Sequence, residues 1–342
     1  MTLTRRATID DVAAHAGVSR STASRVLNKE AAVAPGTRAR VEQAIREMHY
    51  RPNRHAAGLA RGTSRSIGIV VPRLDRWYFA AVTAAVLSAL QDSDHDLLVH
   101  AADDRAANDG YFGATEAIEA RFDGLVLVGI HLEARQAAAL DDAGVRVVSV
   151  GHVTGIFPSV RVDDAAVARL ATEHVANLGH RRIGLVGISS PTDRVLLAAQ
   201  AREQSFRATM ADLDLAVDET LVTAAESTVA GGIDAGHRLL TGPDPPTAVV
   251  TMSDELGFGV LKGARDLGVD VPAQLSVCGI DDHPAAVAAG LTTIAQPAGA
   301  LGALAAQLLG DVIRGELDEP VDLVVPVDLI VRESTGPGPG RR

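Results

Sequence analysis

The sequence predicts an N-terminal all-α helix-turn-helix head joined to an α/β body of two doubly wound halves. Three observations carry that expectation. Short apolar stripes at helical spacing flank Gly17, buried-strand runs alternate with helical segments from Ser66 onward, and the charge is divided between the two ends of the chain. Residues 1–65 hold 12 Lys and Arg against 5 Asp and Glu, net +7, whereas the rest holds 20 against 38, net −18.

In the head, Ile9, Val12, Ala13 and Ala16 recur at i, i+3, i+4 and i+7, which places them on one face of a helix. Thr8 caps that helix through its hydroxyl, and Asp10 and Asp11 fall in the first turn, where the helix dipole favours negative charge. Gly17 supplies the turn. Ser19 caps a second helix, whose Ala23, Val26 and Leu27 face the first while Arg20, Ser21 and Arg25 point away. An arginine at an exposed helix start can pair bidentately with guanine O6 and N7. The hydroxyls of Ser19, Thr22 and Ser24 suit phosphate oxygens. Pro35 and Gly36 open a third helix with Val41, Ala44, Ile45 and Met48 as its core stripe, and Pro52 ends the unit after Tyr50. Asn53 to Arg61 contains Gly58 and is too short for a stable isolated helix, and Gly62, Thr63 and Ser64 form a joint.

In the body, Ile67 to Val71, Leu97 to His100, Gly124 to Val128, Val145 to Val150, Ile183 to Gly187, Ala248 to Thr251 and Leu275 to Ile280 read as buried strands. Helical segments separate them: Tyr78 to Leu90, Ala114 to Ala120, Asp163 to Leu178, Val195 to Met210 and Glu255 to Leu267. A late helix, Leu301 to Ile313, and a strand, Val321 to Val331, suggest that the chain returns between the halves. Open parallel sheets bind ligands beyond the carboxyl ends of their strands. On that rule the candidates are Arg73 to Phe79, His131, Ser253, Asp254, Asp281 and Asp282. Only 3% of the chain is aromatic, so Trp77-Tyr78-Phe79 is a concentration, suited to a sugar face, a purine, core packing or a dimer contact.

The stretch Thr8-Ile9-Asp10-Asp11-Val12-Ala13, with Ala16-Gly17-Val18-Ser19 and Thr22-Ala23-Ser24-Arg25-Val26-Leu27-Asn28, closely resembles the opening of the lactose/galactose repressor (LacI/GalR) family. Val33 and Thr37 to Tyr50 resemble its third helix, and Tyr50-Arg51-Pro52-Asn53 with Ala56 and Leu59 its hinge. A weaker likeness runs through Ile67 to Pro72, Asp123-Gly124, Asn177 to Ile183 and Gly279 to Asp282. The resemblance implies a lambda-repressor-like head over residues 1–52 and a hinge helix and linker over 53–65. It further implies a periplasmic-binding-protein type I effector domain over 66–335. Crossovers near Arg161, Leu291 and Val321 would divide that domain into one subdomain of 66–161 and 291–320 and another of 162–290 and 321–335, with a flexible tail over 336–342.

The resemblance also implies DNA contacts from Thr8, Asn28, Asn53, Arg54 and Ala56, beside those of the second helix, with Leu59 wedged into a minor-groove base step. It places Tyr78, Phe79, Arg202 and Asp281 in the effector cleft. Departures from the family pattern stand at Gly58, at Arg76-Trp77 in place of Asn-Pro, at Ser205 before Phe206, and at Ser253 in place of asparagine.

The expected partners are therefore double-stranded operator DNA, a small-molecule effector with a sugar favoured over a nucleobase, and a second copy of the chain. An effector-independent architectural DNA protein is the alternative. The sequence lacks G-x-S-x-G, G-x-x-x-x-G-K-[ST] and H-E-x-x-H, so neither catalysis, cofactor nor metal is expected. His174 and His180, separated by Gly179, read as structural, and the single cysteine, Cys278, as core. With no apolar signal segment or membrane-length run, the expected location is the cytoplasm.

Overall fold

The computed structural model describes residues 7–27, 33–50, 64–91, 93–102, 105–189, 197–317 and 319–339, with 105–108 described by their backbone. The chain divides into two compact units, residues 1–65 and 66–342.

In the first unit, α1 (Ile9–Ala16) opens with a capping box: the Thr8 amide donates to Asp11 Oδ2 at 2.8 Å, and the Asp11 amide to Thr8 Oγ1 at 3.3 Å. Gly17, at φ 65°, ends the helix in the left-handed region that glycine tolerates. The chain then turns into α2 (Arg20–Leu27), where Ser19 Oγ accepts from the Thr22 amide at 3.2 Å. With α3 (Pro35–Glu47), these helices bury Val12, Ala13, Ala16, Ala23, Val26, Val41 and Ala44, and Met48 and Tyr50 pack against that core.

The second unit contains two six-stranded sheets. The first takes β1 (Ser66–Val71), β2 (Asp96–Ala101), β3 (Gly124–Val128), β4 (Val147–Val150), β5 (Ser159–Arg161) and β11 (Asp322–Val324) in the order β11-β5-β4-β3-β1-β2, all parallel. The second takes β6 (Ile183–Ile188), β7 (Val222–Ala225), β8 (Ala248–Thr251), β9 (Ser276–Asp281), β10 (Thr292–Ala295) and β12 (Asp328–Ile330) in the order β12-β10-β9-β8-β6-β7. Among the described strands only β12 is antiparallel to its neighbour. The central strands β1, β3 and β4 are buried along their whole length, as expected for continuous apolar runs covered on both faces.

With the first sheet go α4 (Trp77–Ala89), α5 (Arg105–Phe112), α6 (Thr115–Arg121), α7 (Ala134–Asp142) and α13 (Ala298–Arg314). With the second go α8 (Asp164–Asn177), α9 (Leu197–Asp212), α10 (Val229–Leu240), α11 (Asp254–Asp266) and α12 (Ala285–Ala289). Close glycine contacts join two helix pairs. A Cβ on Gly302 of α13 would stand 2.5 Å from the Val82 carbonyl of α4, and one on Gly259 of α11 would stand 2.3 Å from the Val229 carbonyl of α10.

Three expectations need correction. The second crossover follows β10, so residues 292–295 extend the second sheet. The apolar run Val321 to Val331 is two strands, not one: β11 belongs to the first sheet, β12 to the second, and Pro326 lies between them. Proline has no N–H for a ladder, so the run breaks there and the third crossover is made. Residues 336–339 of the expected flexible tail are docked. The Gly336 amide donates to Ser276 Oγ at 3.0 Å, its carbonyl lies 3.1 Å from His180 Nε2, and the Gly338 amide donates to the Leu178 carbonyl at 2.8 Å. His180 thus has a structural role, also meeting Thr247 Oγ1 at 3.0 Å. Cys278 is fully buried in the core.

Candidate functional site

On the head, α2 presents Arg20, Ser21 and Arg25 to solvent, while Thr22 and Ser24 are half-buried. Arg20, whose side chain is 71% exposed, lies 3.6 Å from Asp10 of α1, an exposed pair weak enough to exchange for a base or phosphate. The Ser19 hydroxyl sits 2.9 Å from both Ser21 Oγ and Thr22 Oγ1, so these three groups form one polar cluster at the helix start. Thr8 has its hydroxyl in the capping box, donating to Asp11 at 2.7 Å. Asn28, Asn53, Arg54, Ala56 and Leu59 lie outside the described residues.

The body holds a cleft between the carboxyl ends of its two sheets, about 1210 Å³ including its open mouth. From the first half come Arg73, Arg76, Trp77, Tyr78 and Phe79, which follow β1, and Gly129 and His152, which follow β3 and β4. Gly129, at φ 62°, ends β3 beneath Phe79; a Cβ there would lie 2.8 Å from the ring. That glycine lets the aromatic wall approach the sheet.

The second half supplies a buried polar floor. Arg202 of α9, 7% exposed, donates from Nε to Asp164 Oδ1 at 2.8 Å and from its terminal nitrogens to the Met252 carbonyl at 3.0 Å and Gln296 Oε1 at 3.2 Å. Gln296 in turn donates to Asp281 Oδ1 at 2.6 Å. Burial works against the Arg202 charge, but Asp164 and Asp281 outweigh it and hold the guanidinium above the ordinary arginine range. For Asp281 the balance runs the other way. Burial foremost, and then the Asp254 carboxylate, push it above the ordinary range. Asp281 and Asp282 also carry φ of 133° and 56°, a strained pair at the edge of the floor.

Of the expected effector residues, the cleft brings together Tyr78, Phe79, Arg202, Ser253 and Asp281. Ser253 caps α11 through the Leu256 amide at 3.3 Å and meets Ser227 Oγ at 2.9 Å. His131 and Asp254 are not among the lining residues. The His131 ring lies 6.5 Å, centroid to centroid, from that of His152, which does line the cleft. Asp254 is fully buried at the start of α11, accepting from Thr293 Oγ1 at 2.7 Å and the His283 amide at 2.8 Å. Its neighbours absorb its carboxylate, so it braces the turn after β9 instead of facing the cleft.

Asp164, Glu226, Glu255 and Gln296 line the site without having been singled out from the sequence. Glu226 and Gln296 immediately follow β7 and β10, so the strand-end rule covers them once those strands are known. Asp164 stands beside Asp163, which takes the capping role by accepting from the Ala165 and Ala166 amides. Asp164 is thereby left for Arg202.

A small helix-turn-helix unit followed by a two-lobed body with a polar, ring-walled cleft defines a DNA-binding regulator with a ligand-binding domain. Residues 8–53 match the bacterial regulatory proteins of the lacI family, and residues 172–335 match the periplasmic binding protein-like domain. The transcriptional regulator CelR of Thermobifida fusca is 33% identical over 96% of this chain and 98% of its own length. The transcriptional repressor PurR of Yersinia pestis bv. Antiqua is 32% identical over 98% of each. Among solved structures, a CelR–cellobiose complex aligns at TM-score 0.70 and 31% identity, covering 96% of this chain and 100% of that one. The lac repressor dimer bound to operator and the anti-inducer ONPF aligns at TM-score 0.84 and 26% identity, covering 97% of this chain and 100% of that one. The chain belongs to the lacI family of transcriptional regulators, and its fold is that family's helix-turn-helix head with a periplasmic-binding-protein-like body.

Proposed function

We propose that the chain is a repressor that binds a palindromic operator as a homodimer and is controlled by an uncharged sugar in the cleft. One observation carries the ligand class: among the described residues, every arginine lining the cleft is already matched by a carboxylate of the protein. Arg202 pairs with Asp164 at 2.8 Å, Arg73 with Asp75 at 2.6 Å and Glu226 at 3.2 Å, and Arg76 with Glu255 at 3.3 Å. A phosphate or carboxylate ligand would have to displace one of these carboxylates, whereas sugar hydroxyls can add hydrogen bonds to the paired groups and lay an apolar face on Tyr78 or Phe79. The cellobiose held by the CelR structure supports the same class.

The operator reading rests on the exposed start of α2 and on the operator-bound dimer among the similar structures. Two-fold symmetry then requires inverted half-sites, each read by one α2. The ligand acts by favouring one arrangement of the two halves, with a coupling of about 1 to 3 kcal/mol.

A thermal-shift screen against free sugars, sugar phosphates, nucleosides and nucleobases tests the ligand class. An effector at 100 times its Kd should add about 2.7 kcal/mol to the native state. A free sugar is expected to give the shift and its phosphate none; a shift confined to phosphates or nucleobases would overturn the sugar reading. For the operator, Arg20→Ala is expected to relax preference at one position per half-site by about 1 to 3 kcal/mol in a randomised-site selection. An unchanged preference would remove Arg20 from base reading.

A further inference from the structure

We propose that Arg76 and Trp77 form a clasp across the cleft mouth, setting the balance between closed and open bodies through contacts among protein groups alone. The proposal rests on the cleft being the effector site and concerns how that site is regulated. Arg76 and Trp77 are consecutive residues where α4 begins, in the first half, and both side chains reach the second half.

Arg76 donates to Glu255 Oε2 of α11 at 3.3 Å and lies 3.5 Å from Glu226 Oε1, which follows β7. Trp77 lies 5.3 Å, ring to ring, from His283, and Phe258 of α11 meets the same imidazole at 5.4 Å. His283 makes a rigid platform, since its amide donates to Asp254 at 2.8 Å and its Nδ1 accepts from the Ala285 amide at 3.0 Å. Arg73 adds a second strap from the first half, donating to Glu226 at 3.2 Å while Asp75 grips it at 2.8 Å and 2.6 Å.

The Arg76–Glu255 pair is the better shielded of these links. Its side chains are 17% and 18% exposed, so water screens it less than an ordinary surface pair. Opening the halves would part Arg76 from Glu255 and Glu226 and take Trp77 off His283, so the clasp favours closure by what these contacts gain over the hydration of the separated groups, before any effector contact is counted. An effector can shift the balance only by its differential affinity for the two arrangements, so the clasp sets the point from which it works.

Trp77 is the only tryptophan in the chain, so its fluorescence reads the clasp directly in the 342-residue chain, with neither DNA nor effector added. Acrylamide quenching is measured for the unaltered chain, Arg76→Gln, Glu255→Gln, the double variant and Arg76→Lys. In the unaltered chain Trp77 should be shielded. Loss of the pair in Arg76→Gln should lower the closed-to-open ratio about fivefold, about 1 kcal/mol at 1.4 kcal/mol per decade, and raise quenching accordingly. Glu255→Gln should do less, because Arg76 keeps Glu226, and the double variant should match Arg76→Gln. Arg76→Lys should stay close to the unaltered chain. Equal quenching across the set, or a fully accessible Trp77 in the unaltered chain, would overturn the clasp. The ligand screen is independent of this measurement, so the failure of either reading would be seen separately.

Discussion

The two halves of the body share one architecture and divide the chemistry. Each has six strands, with an edge strand contributed from beyond residue 320, and each opens its strand ends towards the same cleft. The first half brings rings and half-buried arginines that follow β1. The second brings a buried floor of Arg202, Gln296 and Asp281 joined by hydrogen bonds to one another. Sheet topology fixes where a site can form, and the few residues after each strand decide what the site can hold. Because the wall residues are partly solvated and the floor residues are not, equal changes of charge should have unequal costs on the two sides.

The largest expected effect is on the floor. Arg202→Ala leaves Asp164, the Met252 carbonyl and Gln296 without their buried partner and should cost about 3 to 5 kcal/mol in urea unfolding. A loss below about 1 kcal/mol would mean that the floor is no drier than the wall, which breaks the contrast. Next come the helix contacts, where the halves should behave alike. Gly302→Ala and Gly259→Ala each force a methyl against backbone, 2.5 Å from Val82 O and 2.3 Å from Val229 O, and should each destabilise by about 1 to 3 kcal/mol. A cost in one half only would show that its helix pair yields.

Acidification should act on the second half through two buried histidines, with a smaller effect. Burial lowers the affinity of His174 and His180 for protons, and in each the neutral ring meets a hydroxyl, Thr335 at 3.0 Å and Ser276 at 2.9 Å. The unfolded chain then binds more protons than the folded one, so their contribution is intact above the ordinary histidine pKa of about 6.5 and is lost as the pH falls below it. Stability measured from pH 7 to 5 should fall less steeply in His180→Gln; an identical slope would acquit the tail-docking histidine. The smallest expected effect is that of Asp281→Asn. Its carboxylate is disfavoured by burial, so the neutral isostere should change stability by about 1 kcal/mol or less while abolishing the effector's thermal shift. A large loss of stability would assign Asp281 to the scaffold.

Some parts of the molecule hide from sequence reading for the same reason that they fold as they do. Helix α10 is not among the helical segments named from the sequence, where Gly231, Gly232 and Gly236 weaken its helical propensity, yet a Cβ on Gly232 would sit 2.3 Å from the Leu256 carbonyl of α11. The residues that weaken the local signal are the ones that permit the close helix pairing. Strands β5, β7 and β10 are three or four residues long and carry serine, threonine, alanine or arginine in place of a continuous aliphatic run, so they give little apolar signal of their own.

Local chemistry in the sequence determined the head, the strand–helix alternation and the charge division, because stripes, caps and apolar runs are properties of neighbouring residues. The Thr8 cap, the Gly17 turn and the buried positions of α1 to α3 needed no distant partner to be legible. Only the tertiary structure decided that Asp164 and Gln296 meet Arg202, that Asp254 turns inward, and that Arg76 and Trp77 reach the opposite half. Those contacts join residues 29 to 206 positions apart, and no local pattern encodes which carboxylate a buried guanidinium will find once two sheets close on each other.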